Sequence, residues 1–287
     1  MIKKGVKMSK NRYRVGSLGA TFFLVFLFLS SAALADEADR RPVWELGAEM
    51  MLSGYEETGA GDAEIMSLDG LMAGLWGAYA HRSPGDNLVL KGEFQIAFGG
   101  VDYQSRDTGS ISDIHQYLIE LRGIAGHDFY FHDSVLITAY AGFGVRYLTN
   151  DSSGMTSTTG HGGYERESRY YYSPIGIEAS AEMENGWSLG FVAEYDIFWS
   201  GEQRSHVAAF YPDLGVAENE QNSGYGLRAS VKIDHKESLP FTIEPFIRYW
   251  NIDKSDEIPF MDGNIAKIFF EPKNETTEIG IKMTIRF

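Results

Sequence analysis

Asp113 and His115 have the residue types and the spacing that could support hydrolysis. A carboxylate beside a histidine orients the imidazole and makes it a better general base toward water or a nucleophile. His81 and Ser83 form a second short pair, in which a histidine could activate a hydroxyl group. Neither pair is a complete catalytic set, because the sequence specifies no third group for it. Asp113 and His115 are therefore weak catalytic candidates.

The other potential ligands do not indicate a bound metal or cofactor. The chain has no cysteine, which excludes a thiol nucleophile, a cysteine-based zinc site and a disulfide scaffold. His127, His132 and His161 each lack a partner at metal-ligand spacing within one predicted element. The formal net charge of −15 argues against a nucleic-acid partner. We expect no cofactor, no metal and no nucleic acid.

The elements that position the charged residues are segments in which apolar and polar residues alternate. The clearest is TEIGIKMTIRF at residues 277–287, and strict alternation of this kind predicts a strand with one apolar and one polar face. Ten such strands are predicted. They are Pro42–Gly54, Ala63–Ala80, Leu88–Gly100, Tyr117–Ala125, Val135–Tyr147, Arg169–Met183, Trp187–Trp199, Tyr225–Ile233, Phe241–Tyr249 and Thr277–Phe287. No run of 18 apolar residues follows position 40, so a helical membrane span is not expected.

The spacing of Trp187 and Trp199 allows the height of one predicted strand to be estimated. Both lie on its apolar face, twelve residues apart. At about 3.3 Å per residue and a tilt of about 40°, they are separated by about 30 Å along a barrel axis. The apolar band of an outer-membrane barrel is about 25 Å tall and has aromatic girdles at both edges. We therefore predict that the two tryptophans lie in the two girdles; a long strand of a soluble sandwich is the alternative.

The connections between the predicted strands alternate in length. Short turns rich in Gly, Pro, Asn, Asp and Ser are predicted at residues 81–87, 131–134, 184–186 and 236–240. Long polar loops are predicted at residues 56–62, 103–113, 148–168, 201–223 and 254–276. This alternation is typical of periplasmic turns and external loops in outer-membrane barrels. An even strand number places both termini on the periplasmic side. Eight or twelve strands are the alternative counts.

Residues 1–35 have the three-part organisation of a secretory signal peptide. Six basic residues precede the apolar block FFLVFLFL at residues 22–29, and Ala33-Leu34-Ala35 follows as a cleavage site. A membrane anchor is the alternative. We predict cleavage before Asp36, a short N-terminal segment at residues 36–41, and a barrel at residues 42–287.

The chain resembles the Gram-negative outer-membrane β-barrel class. The resemblance rests on the signal ending Ala33-Leu34-Ala35 and on the alternating final strand with the C-terminal aromatic residue Phe287. It implies an all-β fold, a single antiparallel transmembrane β-barrel, and an outer-membrane location. It also implies that outer-membrane lipid and the barrel-assembly machinery are partners, with Phe287 as part of the assembly signal.

Two enzyme families with small barrels contain residue pairs similar to Asp113 with His115 and to His81 with Ser83. Omptin proteases, which have ten strands, combine an Asp-x-Asp pair in one external loop with an Asp-x-His pair in another. Asp113 and His115 match the second pair, but no predicted loop of this chain contains Asp-x-Asp. Lipid A deacylases carry a His-x-Ser pair near the outer leaflet, whereas His81 and Ser83 fall in a predicted periplasmic turn. The resemblance to either enzyme family is therefore partial.

Charged residues on the polar strand faces are predicted to point into the lumen. The acids are Glu45, Glu49, Asp69, Glu93, Glu120, Glu178, Glu194, Asp196, Glu244 and Glu278. The bases are Lys91, Arg122, Arg146, Arg228, Lys232, Arg248 and Lys282. A ten-stranded barrel has little interior room, so nearly balanced charges favour an ion-pair network that fills it. A narrow, weakly cation-preferring pore is the alternative.

The leading hypothesis for function is a non-enzymatic, integral outer-membrane protein. Its role would be structural, or its external loops would bind an extracellular ligand. The first alternative is a narrow channel, and the second is a hydrolase at the barrel rim that uses Asp113 and His115.

Overall fold

The computed structural model describes residues 43–287 apart from 60, 62, 84, 132, 133 and 237–239. The expected signal peptide and residues 36–41 lie outside the described residues. The strands are β1 (Val43–Thr58), β2 (Glu64–Arg82), β3 (Leu88–Ser105), β4 (Gly109–Phe131), β5 (Val135–Asp151), β6 (Glu165–Glu182), β7 (Trp187–His206), β8 (Val216–Gln221), β9 (Gly224–His235), β10 (Phe241–Ile252), β11 (Ile258–Asp262), β12 (Ile265–Phe269) and β13 (Lys273–Arg286). Within this part of the chain, no helix is long and apolar enough to cross a membrane.

Ten of the strands form a closed antiparallel barrel. Each pairs with its neighbour along the chain through β1 to β7, then β9, β10 and β13, and β13 pairs with β1 to close the ring. Closure leaves no unpaired sheet edge, which is the condition for strands to lie in lipid. The predicted fold class and the count of ten strands are confirmed. Both ends of the barrel chain, Val43 and Arg286, lie at the end with the short turns.

The strands are longer than predicted, mainly on the side of the long loops. β4 begins at Gly109 instead of Tyr117, and β7 continues to His206 instead of ending at Trp199. Much of the sequence that we predicted as loop is therefore barrel wall. The loop between β3 and β4 contracts to residues 106–108, so that the barrel extends well beyond its apolar band.

Three further strands lie on the same side. β8 pairs with the outer end of β7, from Gly201 to His206, and continues the wall beyond β9. β11 and β12 form a separate hairpin within the last loop. One face of this hairpin is apolar and exposed. Its members are Pro259, Met261, Ala266, Ile268 and Phe270.

The outward face of the barrel is a continuous apolar band, and the inward face is polar. On β13, Ile279, Ile281 and Met283 are exposed, whereas Glu278, Lys282 and Thr284 are buried.

The predicted facing was wrong for Asp69, which lies on the outer wall opposite Asp102 of β3. Inward positions of β2 are even-numbered, as Met66, Leu68 and Met72 show. The glycines and leucines of β2 fit either facing, so the sequence offered only the charge of Asp69 as a guide. That charge lies toward the loop side of the strand, where outward residues need not be apolar.

Apolar side chains fill the interior in three clusters. The first is Met51, Met72, Ala97, Leu118 and Phe246. The second is Tyr55, Met66, Leu68, Val101 and Ile114, with Met155 of the loop between β5 and β6 packed against it. The third is Tyr170, Tyr172, Phe198, Trp250 and Ile252. Interior packing of this kind leaves little space for water between the charged layers.

Candidate functional site

The centre of the lumen is organised around Arg228 of β9. Its guanidinium contacts Glu120 of β4 at 2.6 Å and Asp196 of β7 at 2.7 Å. The hydroxyl of Tyr172 donates to Glu120 at 2.8 Å, and the guanidinium lies 5.4 Å from the Tyr172 ring centroid. Both carboxylates are buried. This cluster links β4, β6, β7 and β9 across the lumen.

Arg122 of β4 extends the central cluster toward the short-turn end. It pairs with Glu194 of β7 and contacts Glu93 of β3 at 3.1 Å. Glu93 also pairs with Lys91 at 2.6 Å. Because Glu194 also contacts Arg228 at 3.2 Å, the two arginines share one carboxylate and form a single network.

A second layer of buried pairs adjoins the central cluster, because Arg146 is opposite Glu120 and Arg248 is opposite Arg228 in the strand register. Arg146 of β5 pairs with Glu278 of β13, and both side chains are 1% exposed. Arg248 of β10 contacts Glu278 at 3.4 Å and Glu49 of β1 at 3.0 Å. A buried charge is tolerated only when it is paired, so each member of this layer depends on the others. The layer spans the lumen from β5 to β1.

The half of the lumen nearer the short turns is less densely filled. Lys232 pairs with Glu178 at 2.8 Å, and Lys282 pairs with Glu244 at 2.9 Å. These pairs line a cavity of about 220 Å³, which ends at Arg122 and Arg228. A polar cavity of this size holds a few water molecules. The cavity is thus a short vestibule that is bounded by the central network around Arg228.

A third ionic cluster lies in the outer half of the barrel, beyond the apolar band. Arg166 of β6 pairs with both Glu57 of β1 and Glu271, which precedes β13. The hydroxyl of Tyr55 donates to Glu271 at 3.0 Å. Burial raises the pKa of Glu271 to about 8; Arg166 opposes this shift, and the nearby Glu57 adds to it. Two carboxyl groups thus share one guanidinium inside the barrel.

The structure brings together the eleven residues that the sequence assigned to a lumen network. Glu120, Arg122, Arg146, Glu178, Glu194, Asp196, Arg228, Glu244, Arg248, Glu278 and Lys282 all face inward and take part in ion pairs. Sequence reasoning missed the cluster of Arg166, Glu57 and Glu271. These residues fall at the edges of predicted loops, where alternation was not extended.

Asp113 and His115 lie on the outer wall of the barrel. Both are exposed, and Asp113 has a positive φ of 58° at an irregularity in the pairing of β3 and β4. The backbone N–H of Asp113 donates to the carboxylate of Asp102 at 3.0 Å. Among the described residues, no hydrogen bond links the side chains of Asp113 and His115. The pair faces away from the lumen.

Trp187 and Trp199 both point outward, at opposite ends of the apolar face of β7. Trp187 packs edge-on against Phe241, and Trp199 packs edge-on against Phe143. Phe287 is 67% exposed at the short-turn end. Its backbone N–H donates to the carbonyl of Trp44 at 2.9 Å, which extends the pairing of β13 with β1.

Comparison with known proteins identifies the fold. No family model matches the chain, and no curated protein sequence matches it. Among solved structures, the outer membrane protease OmpT from Escherichia coli superposes with a TM-score of 0.60 at 12% identity, covering 86% of this chain and 96% of OmpT. The chain folds as a Gram-negative outer-membrane β-barrel.

Other solved structures match with TM-scores below 0.5. Neisserial surface protein A matches with a TM-score of 0.33 at 11% identity, covering 85% of this chain and 97% of its own. A major outer membrane protein from Thermus thermophilus matches with a TM-score of 0.36 at 11% identity, covering 84% of this chain and 99% of its own. At these identities the likeness concerns the fold alone.

Proposed function

We propose that this protein is a non-conducting, non-enzymatic barrel of the outer membrane, whose external part has a structural or surface-interaction role. The observation that carries the proposal is the layered closure of the lumen. A hydrated ion moving along the axis would have to separate buried pairs such as Arg228 with Glu120 and Arg146 with Glu278. Breaking a buried pair of this kind leaves an uncompensated charge, which costs about 3–5 kcal/mol.

The outer half of the barrel supports the same proposal. Beyond the ionic layers, the apolar cluster around Tyr55, Met66 and Ile114 fills the interior, and Met155 packs on it from the loop between β5 and β6. Arg166 then reaches across to Glu57 and Glu271. A permeating ion would meet apolar and ionic barriers in succession, so we expect no steady conductance.

A hydrolase at the rim has less support. OmpT is named a protease, and its fold is similar to that of this chain. However, Asp113 and His115 face outward, and no hydrogen bond between their side chains is present in the described residues. A general base needs its orienting partner within hydrogen-bond reach, so the pair is poorly arranged for catalysis.

The external hairpin of β11 and β12 supports the surface-interaction role. Its apolar face includes Met261, Ile268 and Phe270, which are 49%, 56% and 40% exposed. An exposed apolar face beyond the lipid band is typical of a contact surface. The sequence allows either a strand extension or a contact patch at Phe269 and Phe270. Here Phe269 ends β12, and Phe270 joins the exposed face.

Planar-bilayer recording tests the proposal. The refolded chain, with folding verified by the electrophoretic shift between unboiled and boiled samples, is expected to give a flat current trace at many copies per membrane. Ion-selective steps that change with Arg146→Ala but not with the external control Lys267→Ala would establish the channel and overturn the proposal. Peptide or lipid turnover that is lost in His115→Ala would establish the hydrolase.

A further inference from the structure

A group of metal-ligating side chains lies on the outer wall, on the loop side of the apolar band. Glu165 and Glu167 of β6 and His206 of β7 place their carboxylate and imidazole donor atoms within 4.8 Å of one another. None of these residues belongs to the lumen network or to the weak catalytic pair. The sequence did not suggest this group, because the histidine is distant in the chain and lies in a predicted loop.

Strand geometry brings the three side chains together. Glu165 and Glu167 are two residues apart on β6, so they point to the same face. Arg166 pairs with Ser205, which makes Glu165 and His206 neighbours across the antiparallel strands. Cβ atoms of directly opposed residues lie about 4.5–5.5 Å apart, which suits joint binding of one ion. The arrangement follows from the register of the barrel wall.

Hydrogen bonds hold the group in place. His206 Nε2 lies 2.7 Å from Glu167 Oε1, and the hydroxyl of Tyr147 on β5 donates to Glu167 Oε2 at 2.8 Å. The side chain of His206 is 33% exposed and that of Glu167 is 15% exposed. An anchored, partly buried carboxylate loses less freedom on binding an ion than a fully solvated one.

Neighbouring charges are arranged to allow a cation at this position. Arg204 of β7 lies directly opposite Glu167, but its guanidinium contacts Glu218 of β8 at 2.8 Å, which partly neutralises it. On the other side of Glu165 the same cross-strand row continues with Asp151 of β5 and His115 of β4. Two histidines and three acids thus lie in adjacent positions on four strands.

We propose that Glu165, Glu167 and His206 form a binding site for a divalent transition-metal ion, with Zn²⁺ as the best match. Imidazole nitrogen and carboxylate oxygen are both ordinary zinc ligands, at about 2.0–2.2 Å from the ion. The histidine favours Zn²⁺ over Ca²⁺ and Mg²⁺, which prefer oxygen ligands alone. Three protein ligands leave a coordination position for water. The ion would link β6 to β7 just beyond the pairing of Arg166 with Ser205.

Competition titration of the refolded full chain in detergent tests this site. Zn²⁺ is added against a chromophoric chelator, in the presence of excess Ca²⁺ to saturate non-specific acidic surface. We expect one tightly bound Zn²⁺ per chain and at least a tenfold loss of affinity in His206→Ala and in Glu167→Gln. The matched control is His127→Ala, at a histidine of β4 near the short-turn end whose ring packs at a tilt against Phe129.

Co²⁺ supplies an independent readout of the same ligands. Its visible absorption spectrum should indicate nitrogen and oxygen ligation in the wild type and should change in His206→Ala, while the gel shift shows that the variant is folded. The proposal fails if the wild type shows no saturable Zn²⁺ binding above the Ca²⁺ background. It also fails if folded His206→Ala and Glu167→Gln bind Zn²⁺ as the wild type does, because the group would then be an ordinary ion pair.

Discussion

At the scale of single residues, Glu271 provides a pH-dependent contribution to stability. Burial raises its pKa to about 8, despite Arg166 and with a further contribution from Glu57. Because the folded chain holds this proton more tightly than the unfolded chain, the free energy of unfolding should fall as pH rises from about 4.5 to about 8 and then level off. Glu271→Gln removes the titrating group and should flatten this part of the profile.

Urea unfolding in lipid vesicles across this pH range measures the difference between the two profiles. Glu218→Gln, at an exposed carboxylate of β8, is the control and should keep the wild-type profile. If the free energy of unfolding of Glu271→Gln falls with pH as steeply as that of the wild type, the cluster of Arg166, Glu57 and Glu271 is not the source of this pH dependence.

Gly144 of β5 is the subject of a second prediction at the scale of single residues. A Cβ atom there would lie 2.2 Å from Cζ of Tyr172, whose hydroxyl is fixed between Glu120 and Arg228. Gly144→Ala should therefore displace the ring and lower the free energy of unfolding by about 1–3 kcal/mol. Gly123→Ala is the control, because nothing lies within 4 Å of its added methyl group. Similar losses at both positions would indicate a general effect of replacing glycine in strands.

Sequence patterns located inward charges but did not identify their partners. Alternation alone was sufficient to place Arg228 and Glu120 in the lumen, since each strand has only two faces. Their contact depends on how β4 and β9 face each other across the barrel, which alternation does not specify. The group of Glu165, Glu167 and His206 was missed for the same reason, because its members meet through strand register.

At the scale of elements, the facing of β13 is directly testable. Ile281 is 47% exposed within the apolar band, whereas Thr284 is buried toward the lumen. Ile281→Arg should destabilise the barrel by about 2–4 kcal/mol, because a charge near the bilayer midplane is costly. Thr284→Ser should cost much less. Urea unfolding in vesicles compares them, and equal losses would mean that the strand faces the other way.

Strand lengths were less predictable than strand facing. Inside the apolar band, each outward residue must be apolar, so alternation is strict and the strands were recognised. Beyond the band the outward residues face water, and segments such as Gly109–Gln116 of β4 and Ser200–His206 of β7 resemble loops. Backbone pairing continues there regardless of polarity. β8 and the hairpin of β11 and β12 were missed on this account.

At the scale of the whole molecule, closure of the barrel makes the stability of the first strand, β1, depend on that of the last strand, β13. β1 and β13 pair from Glu45 with Arg286 to Thr58 with Lys273, and the lumen network links β1 to β10 and β13 as well. No strand of the ring can leave without exposing backbone groups to lipid, at a cost of several kcal/mol per group. We therefore expect the barrel to fold as one unit once its last strand is present.

Phe287 is the residue that we propose as part of the signal for the barrel-assembly machinery. Its side chain is 67% exposed, and its structural contribution comes from the backbone bonds to Trp44. Phe287→Ala keeps those bonds, so refolding in detergent should match the wild type. If the aromatic ring is part of the signal for the barrel-assembly machinery, the same variant should lower the amount of folded protein in outer-membrane fractions severalfold.

Phe129→Ala is the matched control, because Phe129 is also an exposed phenylalanine, 45% exposed, near the same end of the barrel. Both variants remove one exposed aromatic ring at the short-turn end of the barrel, so any loss from weaker lipid contact is common to them. A defect in cells that is specific to Phe287→Ala would separate recognition of the last residue from stability. Equal amounts of both variants in the membrane fraction would show that the machinery does not read Phe287, and the alternating residues of β13 would then carry the signal by themselves.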